Sequence, residues 1–133
     1  MKIFQNKGFV PDSNRPHQKI NFVDSNDVIV GFNIETDCCE QSGFYITPEI
    51  SETIAFEKDE EIPNCDGYIF DINFFKEINC GKCGDNFENM VIFRLIKNNS
   101  HDLYLHLFNY HNGYYYHGFY LEIDGKIVKS FGI

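Results

Sequence analysis

The chain has 133 residues, 43% hydrophobic and 23% charged, which is an ordinary globular balance for one domain spanning 1–133. Its formal charge is −9 with only two arginines, Arg15 and Arg94, which argues against a broad phosphate-binding face and so against nucleic acid as a partner. No apolar run approaches the roughly 20 residues of a membrane helix, and Met1–Val10 lacks the apolar stretch of a secretory leader, so a cytoplasmic protein with no membrane partner is expected.

One alanine, Ala55, and five leucines stand against 16 Ile, 14 Phe, 8 Tyr and 6 Val. Strong helix formers are scarce, while β-branched and aromatic residues suit a pleated, half-buried surface. The expected fold is mostly β (or α+β): a single domain built as an antiparallel sheet sandwich or partly open barrel, with at most one short helix.

In chain order, Ser13-Asn14-Arg15-Pro16 is a loop that sets a first strand apart. Lys19–Val23 and Val28–Glu35 are strands on either side of the polar turn Asp24-Ser25-Asn26-Asp27, and Phe44–Thr47 is a third. Thr47 as N-cap and Pro48 at the first helical position open the one helix candidate, Glu49 to about Phe56. The charged stretch Glu57, Lys58, Asp59, Glu60, Glu61 follows before Pro63. Tyr68–Phe75 and Met90–Lys97 are further strands, and Val91-Ile92-Phe93, apolar on both faces, suits a central position. Asn112-Gly113 and Asp124-Gly125, the residue pairs favoured in tight hairpins, then predict a C-terminal three-stranded meander over 102–131.

A two-residue turn at Asn112-Gly113 sets His111 opposite Tyr114, Phe108 opposite His117 and His106 opposite Phe119. Alternation then puts Leu103, Leu105 and Leu107 on one face with Tyr114, Tyr116 and Tyr120. The other face carries Tyr104, His106, Phe108, Tyr110, Tyr115 and His117. Rings with apolar bodies and polar tips suit a protein interface, so this face is either covered by a second layer or helix, or open to a partner.

Five cysteines with no secretory leader point to reduced thiols. Cys80-Gly81-Lys82-Cys83 has the spacing of half a zinc knuckle, which Cys65 and Cys38 (or Cys39) would complete if folding gathered them; otherwise it is a loop with two thiols or a redox pair. No G-x-S-x-G, P-loop, G-x-G-x-x-G or H-E-x-x-H occurs. Asp37 and Glu40 flank Cys38-Cys39 and oppose a thiolate there, so nothing selects a catalytic group and no cofactor beyond this zinc is implied.

The order of Asp37-Cys38-Cys39-Glu40 and then His111-Asn112-Gly113-Tyr114-Tyr115 resembles a domain family of unknown function among small bacterial and bacteriophage proteins. The similarity spans roughly 19–125. It implies a shared small β-rich or α+β domain in an accessory-gene setting. It carries no activity, and Cys80–Cys83 lies outside the shared pattern.

The function expected from these readings is capture of a basic protein partner by occlusion, in the manner of immunity proteins or phage-encoded inhibitors. The ring-rich face would be the contact, and Glu57, Asp59, Glu60 and Glu61 would steer the encounter. The alternatives are a zinc-stabilised structural or regulatory module and an enzyme of unknown class.

Overall fold

The apolar alternation of the chain turns into strands with few exceptions. The structure, a computed structural model, describes residues 1–8, 17–36, 40–54, 61–83 and 86–133. Among these residues nine strands form and no helix: β1 (Lys2–Gly8), β2 (His17–Val23), β3 (Ile29–Asn33), β4 (Gln41–Thr47), β5 (Ile69–Cys83), β6 (Asn86–Ile96), β7 (Leu103–His111), β8 (Gly118–Ile123) and β9 (Lys126–Gly132). Hence no helix of the described residues is long and apolar enough to cross a membrane.

All pairs are antiparallel. One sheet has five strands in the order β1-β2-β3-β8-β9, and the other has four in the order β4-β7-β6-β5. They pack as an open, mostly β sandwich. Phe22, Val30, Phe32, Phe119 and Leu121 from the first sheet share one core with Val91, Phe93, Leu95, Leu105 and Leu107 from the second. The Phe119 ring stacks on Phe75 at 6.0 Å, which ties the sheets together. The sequence Val91-Ile92-Phe93 is central, as its composition suggests: Val91 and Phe93 point into this core while Ile92 joins a second cluster with Tyr45 and Met90 on the outer face.

The turn between β2 and β3 does more than reverse the chain. Asp24 is buried, and its Oδ1 accepts hydrogen bonds from the N–H groups of Asn26 (2.8 Å) and Val28 (3.0 Å). Its Oδ2 accepts from the Phe70 N–H at 2.8 Å, so one carboxylate joins a turn of the first sheet to the start of β5 in the second. On the outer face of the first sheet, the Tyr120 ring lies flat over Gly31, where an added Cβ would meet it at 2.2 Å. Its hydroxyl accepts from Lys19 Nζ and donates to Asn21 Oδ1.

The C-terminal meander is corrected by the topology. Asp124 (φ 52°) and Gly125 (φ 73°) make the expected tight turn between β8 and β9. At Asn112-Gly113 only Gly113 has positive φ, at 96°, whereas the predicted turn needs it at both residues. The physical reason is occupancy: β7 already has β4 on one edge and β6 on the other, so neither edge is left for β8. Residues 112–117 therefore carry the chain across to the other sheet. Phe108 sits opposite Gly43 and Met90, and His106 opposite Tyr45 and Ile92, rather than facing His117 and Phe119.

Removing the Asp24 carboxylate leaves three N–H groups without their partner, and hydrogen bonds to a charged group are worth about 1.5–3 kcal/mol each. Asp24→Ala is expected to lower unfolding free energy by about 3 kcal/mol in urea titration, while Ser25→Ala, at an exposed position of the same turn, changes it little.

Candidate functional site

Alternation along β7 sends Leu103, Leu105 and Leu107 into the core, as expected. Tyr104, His106, Phe108 and Tyr110 share its outer face, but that face is not open throughout. His106 is 0% exposed. Tyr45 of β4 stacks on its ring at 4.4 Å, and the segment after β4 crosses above as a strap. The Ser51 N–H donates to His106 Nε2 at 3.1 Å, and the Tyr45 hydroxyl donates to the Thr53 carbonyl at 3.2 Å. Ile54, Phe74 and Ile78 pack into the same outer cluster beside Tyr104 and Phe108.

This strap occupies the expected helix, which does not form over 49–54; Ala55 and Phe56 lie outside the described residues. Its polar groups bond to strand side chains instead of to carbonyls one turn back. Thr47 Oγ1 donates to the Glu49 carbonyl at 2.7 Å rather than capping an N–H.

The proton on His106 can be placed. Ser51 N–H can only donate, so Nε2 is the lone-pair nitrogen, and Nδ1 carries the proton to the Tyr104 carbonyl at 3.1 Å. The ring is neutral, and burial pushes its pKa from the usual 6.5 down to about 4.

Tyr115 and His117 do not lie on this face. They belong to the 112–117 crossover at one end of the sandwich. Gly113 N–H donates to His111 Nδ1 at 2.9 Å, and burial followed by the nearby His117 pushes the His111 pKa down. Asn109, fully buried on the inner face of β7, donates through Nδ2 to the Tyr115 carbonyl (2.7 Å) and to Ile133 O (2.9 Å). His117 Nδ1 donates to the Asn33 carbonyl at 2.8 Å, and its Nε2 lies 2.9 Å from Glu40 Oε2, with the two side chains 3% and 1% exposed. A carbonyl and a carboxylate on the two ring nitrogens lock this imidazole. The pair joins Glu40 to the end of the crossover across 77 residues; residues 37–39 lie outside the described ones.

Beside this pair a small cleft of about 160 Å³ is lined by His17, Glu35, Glu40 and Tyr114–Tyr116 among others. His17 Nδ1 and Glu35 Oε2 are 3.0 Å apart there. Tyr114 is 85% exposed and Tyr116 63%, the two most exposed large hydrophobic side chains among the described residues. The hairpin register puts both on the leucine face, whereas the crossover presents them to solvent. Gly113 and Gly118, which bracket the crossover, were the available signal.

Of the expected steering patch, Glu57, Asp59 and Glu60 lie outside the described residues. Glu61 is exposed and edges an open depression of about 600 Å³ with Ile46, Pro48 and Ile50. Of the expected zinc ligands, Cys38 also lies outside them. Cys65 is buried, its thiol donates to the Pro63 carbonyl at 3.2 Å, and burial raises its pKa. Cys80 and Cys83 lie at the far end of the 15-residue β5, which begins just after Cys65. Among the described residues no three His, Cys, Asp or Glu side chains gather to hold a metal. Comparison with family models, curated proteins and solved structures finds no match.

The neutral His106 has a stability consequence with a definite sign. The unfolded ring binds a proton near pH 6.5 and the folded one only near 4. Its contribution is present in full above pH 6.5 and is lost as the pH falls toward 4, by on the order of 3 kcal/mol. Urea titrations at pH 7 and 4.5 are expected to show that loss, and His106→Phe should remove much of it. An unchanged pH dependence in the variant would overturn the assignment.

Proposed function

We propose that the protein is a small acidic binding protein that acts by covering a basic protein partner, with the crossover at 112–117 as the centre of its contact. The observation that carries this reading is Tyr114 and Tyr116 held in water, 85% and 63% exposed, on a segment whose backbone is pinned from beneath by Asn109, His111 and His117. Rings presented on a fixed backbone lose little conformational freedom on docking, and tyrosine is enriched among the residues that dominate interface energies. The −9 charge favours a basic partner and a fast encounter.

The contact set differs from the one read along a single strand face. His106 and His117 are buried and act as supports. Tyr104, Phe108, Tyr110 and Tyr115 are half-buried, and the first three lie on the outer face of β7 beside the strap. A cytoplasmic setting of immunity or phage-inhibitor type belongs to this proposal.

The test is a pull-down from source lysate at increasing salt, with the native protein and the double variant Tyr114→Ala, Tyr116→Ala. The expected capture is a basic protein, weakened by salt and lost in the variant, because ring anchors of this kind contribute about 2 kcal/mol or more each. Tyr114 is almost wholly in water and Tyr116 leans on His111 at 5.0 Å, so a small fall in the thermal midpoint is expected, with the fold kept. Capture that survives the loss of both rings, or that selects an acidic protein, would refute the proposal.

A further inference from the structure

The inner face of the four-stranded sheet changes character near the crossover. Rows across β4-β7-β6 read Ile46–Leu105–Phe93 and Phe44–Leu107–Val91, and then Ser42–Asn109–Asn89. Direct neighbours in such a row have Cβ atoms about 5 Å apart. Three polar side chains thus stand side by side where the rows before them fill the space with large apolar groups.

Each of the three has a buried polar atom with no partner among the described residues: Ser42 Oγ, Asn109 Oδ1 and one end of the Asn89 amide. The amides are not free to turn toward one another. Asn109 is held by its two Nδ2 bonds, to Tyr115 and Ile133. Asn89 is held against His111 Nε2 at 3.2 Å. The Gly113 N–H makes His111 Nδ1 an acceptor, so the neutral ring keeps its proton on Nε2. A protonated Nε2 needs an acceptor, so the Asn89 amide turns its oxygen to the ring and its NH2 takes the unpartnered place in the row. A buried polar atom left without a partner costs about as much as a lost hydrogen bond, and three adjacent ones demand a common answer.

We propose that this row is an internal hydration site holding two ordered water molecules. One bridges Ser42 Oγ and Asn109 Oδ1, and the other bridges Asn109 Oδ1 and the inward end of the Asn89 amide. Asn109 Oδ1 has two lone pairs and accepts from both waters, which gives each water two partners in the row, within the usual range for a buried water. The short Ser and Asn side chains stand where the preceding rows carry large apolar groups. The waters complete the polar layer under the crossover and so help to set the height at which Tyr114–Tyr116 stand.

A high-resolution crystal structure, with a parallel soak in rubidium chloride, tests this. The expected result is two density peaks at hydrogen-bond distance from the named atoms, with no anomalous signal from rubidium. Ser42→Val is expected to expel the first water and keep the second. If that variant does not fold, Ser42→Ala, which adds no atom, should still loosen the first peak. In solution, nuclear Overhauser contacts from long-lived water to the Asn109 amide protons are expected in the native protein. Direct contact between the Asn89 and Asn109 amides with no density between them would overturn the proposal, and so would a rubidium peak in the row.

Discussion

The saturation of β7 governs the rest of the molecule. With β4 along one edge and β6 along the other, this strand has no hydrogen-bonding edge left when it ends at His111. The chain must therefore change sheets, and the six residues that do so leave the regular ladder at the rim of an apolar core. Their backbone groups need partners, and β7 supplies them from its own inner face. Asn109 takes the Tyr115 carbonyl and His111 takes the Gly113 N–H, while His117 reaches across to Asn33 on β3. A leucine at 109 would continue the core by one layer and remove the two bonds that hold the Tyr115 and Ile133 carbonyls.

Much of the architecture was legible in the residues, and the failures share one cause. Isoleucine, phenylalanine and tyrosine in place of alanine and leucine announced strands, and Asp24–Asp27 and Asp124-Gly125 marked two reversals. Val91-Ile92-Phe93 announced a strand covered on both sides. What the pattern could not carry was which sheet a strand joins. Asn112-Gly113 satisfies the local chemistry of a hairpin, and alternation on either side of it reads the same whether β8 lies beside β7 or in the opposite sheet. Only the competing claims of β4 and β6, distant in sequence, decide between the two.

The same limit explains the histidines. Period two correctly placed His106 opposite the leucines of β7, yet alternation names a face without saying what lies over it. The strap from 48 to 54 spends its hydrogen-bonding capacity on that face instead of on a helix, and His106 becomes the acceptor for one of its N–H groups. His117 fell on the wrong element altogether. Its bond to Glu40 joins positions 77 residues apart, a contact that no local signal encodes. Buried histidines here serve as fasteners, and the exposed rings stand on what they fasten.

The order of strands also has a consequence for synthesis. The four-stranded sheet comes from one unbroken stretch of chain, 41–111, whereas the five-stranded sheet joins β3 to β8 across that whole stretch. During translation β1–β3 emerge first, with Phe22, Val30 and Phe32 lacking half of their covering and with the β3 edge open. They must wait for the last 16 residues of the chain before that edge closes. Such long-range closure makes for slow folding, on the millisecond-to-second scale. It also means that a nascent chain stalled before Gly118 presents a sticky half-sheet of the kind that chaperones recognise.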